Sequence, residues 1–168
     1  MMNLSCVRIC GLIIATALML VSCEEADDSR IPYVEVNIDL TTQAYWQTYG
    51  VHSLGMSRTF IRQERVPSNF PYTAMTYTGF GGVLLVTDIQ NYPLAYDLAC
   101  PVEKSQKVRV EFDSESLLAR CPVCHSEYNV CEFFGSPVSG EAYRKKWKLR
   151  QYKALPSAEG GYRIVNGN

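Results

Sequence analysis

Residues 121–128, Cys-Pro-Val-Cys-His-Ser-Glu-Tyr, place two cysteines, a histidine, a serine and a tyrosine within one short stretch. Two thiols at this spacing can grip a metal ion as half of a tetrahedral site, pair as a disulfide, or exchange disulfides with a partner. Cys100 lies upstream, in Tyr-Asp-Leu-Ala-Cys-Pro-Val-Glu, and Cys131 follows seven residues after Cys124. As a zinc site, Cys121 and Cys124 form a good first half, but the second half is poor, because Cys100 has no thiol two residues away. As an exchange motif the pair has the right spacing, yet such motifs open a helix and this one sits between apparent strands.

The compartment bears on which chemistry is open. Arg8 precedes an apolar run from Ile9 to Val21, too short to span a bilayer as a stable helix, and residues 1–22 read as a signal peptide. Leu20-Val21-Ser22-Cys23 resembles a bacterial lipobox, which implies a lipid on Cys23 and anchoring in the outer membrane, on its periplasmic or cell-surface face. Residues 23–30 then form an acidic tether, Glu-Glu-Ala-Asp-Asp-Ser-Arg after the cysteine, similar to the export tags of some Bacteroidota lipoproteins. Of seven cysteines, Cys6 and Cys10 leave with the signal and Cys23 takes the lipid, so four remain to face an oxidising environment. Without Arg8 the chain carries 15 basic against 17 acidic residues. No basic patch stands out, which argues against nucleic acid as a partner.

The elements that must hold these residues read as short strands. Val34, Val36, Ile38 and Leu40 alternate with Glu35, Asn37 and Asp39, a half-buried strand. Residues 41–72 read as irregular, with a strand near Arg58–Val66. A glycine turn at Gly79, Gly81 and Gly82 leads into Val83-Leu-Leu-Val-Thr-Asp88, a β-branched central strand. Further strands are expected at Asn91–Cys100, Lys107–Phe112, Leu117–Cys121 and Glu127–Phe133, with a loop over Gly135–Gly140. Two alternating runs joined near Pro156–Gly161 form a closing hairpin. No segment has a convincing 3.6-residue apolar period, and neither an internal repeat nor a second domain is evident. Residues 31–168 are therefore expected to form one all-β domain, an antiparallel sandwich or barrel with two cysteine-bearing loops.

The order of glycine turn, Cys100 loop, Cys121 loop, Gly135-Ser136-Pro137 and hairpin resembles a Rieske iron–sulfur domain over roughly residues 75–168. That family carries Cys-x-His and Cys-x-x-His in its two loops, holding a 2Fe-2S cluster. The resemblance implies that Cys100 and Cys121 stand at the cysteine places. It also implies that Ser126 hydrogen-bonds a bridging sulfide, that Tyr128 hydrogen-bonds a ligand sulfur, and that Gly135-Ser136-Pro137 covers the site. Val102 and Cys124 occupy the histidine places, with His125 displaced by one. Two histidines on one iron set the Rieske potential, so the expected ligand set, Cys100, Cys121, Cys124 and His125, makes an altered centre. Cys131, Glu103 and Asp97 are the other candidates for a fourth ligand. His52 lies far from both loops and reads as a surface or core residue.

Four outcomes stay open for the sulfurs. One is a 2Fe-2S cluster of altered ligation passing electrons to an envelope protein, and another is zinc or a similar single metal. A third is a disulfide such as Cys100–Cys121 or Cys100–Cys124, worth about 2–4 kcal/mol, in a structural or binding module. The last is a thiol–disulfide exchanger. No phosphate loop, nucleophile elbow or paired catalytic carboxylates are apparent, so the chain is not read as an enzyme.

Overall fold

The computed structural model describes residues 30–167, so the signal segment and Cys23 lie outside the described residues. The domain is all-β and antiparallel. A seven-stranded sheet takes the order β2 (Ser57–Phe60), β4 (Val83–Thr87), β5 (Pro93–Asp97), β10 (Gln151–Pro156), β11 (Gly160–Asn166), β1 (Val36–Thr42), β3 (Tyr77–Thr78). It curls until its two edges nearly meet, with the Arg62 N–H donating to Thr78 Oγ1 at 3.3 Å across the seam. A four-stranded sheet of β6 (Glu111–Asp113), β7 (Leu118–Arg120), β8 (Glu127–Asn129) and β9 (Ser136–Ser139) carries the Cys121 loop between β7 and β8, and the Cys100 loop connects β5 of the larger sheet to β6.

Alternation explains how two cores arise from one chain. In β1, Val36, Ile38 and Leu40 point inward, while Val34 precedes the strand and is exposed. Every residue of β4 is buried because it has a core on each side. Val83 and Leu85 pack inside the curled sheet with Ile38, Phe60 and Trp46, whereas Leu84 and Val86 pack outside it with Tyr96, Ala119, Tyr128 and the site cysteines. The closing hairpin pairs Tyr152 with Asn166 through Pro156 with Tyr162, at the expected place.

Two parts of the expectation need correction. Residues 41–72 are not wholly irregular: α1 (Gln43–Tyr49) starts at Thr42, whose side chain accepts from the Tyr45 N–H, and it buries Trp46 against Tyr162. Seven residues give too few turns for an apolar period to show. Likewise, Gly135–Gly140 is not a loop, since Ser136–Ser139 pairs with β8 as an edge strand and α2 (Gly140–Lys145) follows. Pro137 sits at the sheet's edge, where a missing N–H costs little.

Candidate metal centre

The first cysteine loop leaves β5 through a tightly held corner. Asp97, fully buried, accepts hydrogen bonds from the N–H groups of Phe80 (2.9 Å), Gly81 (3.0 Å) and Ala99 (2.7 Å) and from the Tyr152 hydroxyl (2.6 Å). Burial pushes its pKa up, and the bonds from Tyr152, Ala99, Phe80 and Gly81 pull the other way. Gly81 must be glycine here, because a Cβ would lie 2.5 Å from the Ala99 nitrogen. Arg109 ties the same turn from outside, through Nε to the Gly81 carbonyl and Nη1 to Glu64 at 2.8 Å. Asp97 is thus fully engaged two residues before Ala99 hands the chain to Cys100.

From there, two turns repeat one another. Cys100-Pro101-Val102-Glu103 is closed by the Lys104 N–H donating to the Cys100 carbonyl at 2.9 Å, and Cys121-Pro122-Val123-Cys124 by the His125 N–H donating to the Cys121 carbonyl at 3.1 Å. Lys104 and His125 both take left-handed backbone, with φ of 50° and 56°. In each turn the main-chain N–H groups two and three residues on pull the cysteine thiol's pKa down against burial: Val102 and Glu103 for Cys100, Val123 and Cys124 for Cys121. Such N–H to sulfur bonds favour thiolate, the form that binds metal. The tripeptide Cys-Pro-Val, present at 100–102 and again at 121–123, was the sequence signal for this repeat.

The sulfurs of Cys100, Cys121 and Cys124 converge, all within 4.8 Å of one another, and Cys100 and Cys124 are 3.6 Å apart. All four cysteines among the described residues are free thiols. Cys100 and Cys121 are fully buried and Cys124 is half-buried. Burial pushes the Cys100 thiol up to about 12 despite its bonds from Tyr128, Glu103 and Val102, and it raises that of Cys121 as well. The Tyr128 hydroxyl lies 3.4 Å from the Cys100 sulfur, and burial, then that sulfur, raise its own pKa. Ser126 Oγ accepts from the Cys124 thiol (3.4 Å) and from the Ala142 N–H (3.2 Å). Ser126 and Tyr128 therefore both touch site sulfurs.

His125 stands apart from these thiols: its backbone is left-handed, it is exposed, and it is not among the three converging residues. Cys131 is buried beside Tyr96, away from the cluster, with its thiol pushed up to about 11 by burial, Glu132 and Asp88. His52 is an exposed residue edge-on to Trp46. The contribution of α2 was missed altogether: the Ala142 N–H fixes Ser126, and a Cβ on Gly140 would lie 2.7 Å from Ser126 Oγ. No family model matches the chain, and neither a curated protein nor a solved structure matches it.

Proposed function

We propose that this chain is an outer-membrane lipoprotein whose β domain, related to the Rieske fold, binds a single thiophilic metal ion of the zinc class between its two cysteine turns and serves as a metal-fastened structural or binding module. One observation carries this reading: three thiols, two of them fully buried, gather about one point. Four zinc–sulfur bonds of about 2.3 Å describe a tetrahedron with edges of about 3.8 Å, close to the 3.6 Å between Cys100 and Cys124. A 2Fe-2S cluster takes four protein ligands shared between two irons. Three sulfurs about one point, with no second pair beside them among the described residues, fit that group poorly, and electron transfer forms no part of this reading. The contacts of Ser126 and Tyr128 with site sulfurs support the Rieske-like relationship.

A second reading draws on the same distance. Loss of two protons and two electrons to a disulfide-bearing oxidant of an oxidising compartment would close Cys100 and Cys124 into a disulfide that fastens the two turns covalently, leaving Cys121 single. Metal analysis and thiol counting on protein purified without oxygen separate these readings. About one zinc per chain without visible absorption supports the single-ion site. About two irons with visible absorption would overturn it in favour of a cluster, and a metal-free protein lacking two titratable thiols would establish the disulfide.

Membrane attachment is tested apart from the site. With Cys23→Ala the protein is expected in the soluble fraction after lysis and ultracentrifugation, whereas the parent chain sediments with membranes. A variant that still sediments, and resists extraction at high salt, would exclude lipidation at Cys23 as the anchor.

A further inference from the structure

The three-thiol site is one ligand short of a closed tetrahedron, and the repeated turn indicates where the fourth lies. In the second turn, the residue three places after Cys121 is Cys124, whose sulfur reaches across to Cys100 in the first turn. The residue at the same place in the first turn is Glu103. Both positions follow Cys-Pro-Val, both present their N–H to the sulfur of their own turn, and both precede a left-handed residue whose N–H closes the turn. The two turns share their closing hydrogen bond and their left-handed residue, so a Glu103 side chain that left its turn as Cys124 leaves the second would head for Cys121, as Cys124 approaches Cys100.

We propose that Glu103 provides the fourth ligand to a metal ion held by Cys100, Cys121 and Cys124. The proposal rests on the single-ion reading above. Its carboxylate stands outside the three-sulfur group, and among the described residues no hydrogen bond or ion pair holds it, although the residue is half-buried. A half-buried carboxylate without a partner is free to turn towards a cation. Zinc accepts carboxylate oxygen at about 2.0–2.2 Å alongside thiolates, and the longer reach of glutamate allows an oxygen to arrive where a cysteine at the same place brings sulfur. Val102, the alternative in that turn, has no ligating atom.

The test uses the full chain, reduced and stripped of metal, titrated with Co²⁺ for its spectrum and with Zn²⁺ for affinity. Glu103→Gln is expected to weaken Zn²⁺ binding by at least about tenfold, since even losing a group that merely orients a ligand costs 10–100-fold. Glu103→Cys is expected to tighten binding and to strengthen the sulfur-to-cobalt charge-transfer band by one thiolate's share. Both variants should keep the parent's urea midpoint without metal, because the side chain holds nothing in the metal-free fold. Overturning results are Zn²⁺ affinity of Glu103→Gln within about twofold of the parent and no added charge-transfer intensity in Glu103→Cys. If the parent and both variants bind Co²⁺ identically through three thiolates, the Glu103 assignment fails and the single-ion reading stands. If none binds, both fail.

Discussion

Asp97→Ala will lower stability by about 3–5 kcal/mol, measured as the shift in a urea unfolding curve of the metal-free, reduced protein. The figure follows from what the carboxylate satisfies. Three main-chain N–H groups, those of Phe80, Gly81 and Ala99, and the Tyr152 hydroxyl would lose their acceptor in a place where Asp97 itself has no exposure. Each unsatisfied buried donor costs about 1–3 kcal/mol, and water entering the vacated volume recovers part of the sum. Asp97→Asn sharpens the test. Every partner of this carboxylate is a donor, so an amide, which must point its own N–H₂ at one side, loses acceptors and sets donor against donor. Asn should cost at least half of what Ala costs. An Asn variant within about 0.5 kcal/mol of the parent would mean that the donors find other acceptors and that the corner is not built on this charge. Because Ala99 passes the chain to Cys100, the same variants should also weaken any metal bound at the site.

Asp97 also shows where sequence reading ends. The alternation of Val36, Ile38 and Leu40, the apolar run Val83–Thr87 and the closing hairpin were legible because each is a short-range pattern, and they were enough for an antiparallel all-β domain. Asp97 joins residues 80, 81, 99 and 152, and a contact spanning 55 residues leaves no periodicity to read. The edge strand Ser136–Ser139 was hidden by its glycine and proline neighbours, which signal loops by composition while an edge tolerates them.

The site was half legible. Cys100, Cys121 and Cys124 were picked out by residue type, and Ser126 and Tyr128 only through the resemblance to a Rieske domain, and all five meet in the fold. His125 shows the limit of spacing, which does not reveal backbone hand: it is left-handed at φ of 56°, exposed, and outside the three-thiol group. The repeated Cys-Pro-Val was visible as letters, yet only the matching bonds from Lys104 and His125 show that the letters make the same turn twice.

Metal loading of this site should be strongly pH-dependent, and it should stabilise the fold by several kcal/mol. Burial raises the Cys121 thiol and pushes that of Cys100 up to about 12, so both are protonated in the metal-free fold at neutral pH. As unfolded thiols titrate near 9.0, they are protonated in both states below that value and leave the metal-free stability flat with pH. A thiophilic ion changes the balance, since it binds thiolate and must displace those protons. With at least two released per ion, apparent Zn²⁺ affinity should fall by about hundredfold for each unit of pH lowered between 8 and 6. Linked to folding, free zinc at a thousand times Kd adds about 4 kcal/mol at neutral pH, a gain that shrinks towards pH 6 and disappears on adding chelator. Calorimetric titration in buffers of different ionisation enthalpy counts the protons, and thermal unfolding with and without zinc gives the stability. Binding that releases no protons would mean the thiols are already ionised, so that Tyr128 and the four turn N–H groups outweigh burial. A melting temperature unmoved by zinc at both pH values would remove the single-ion site altogether.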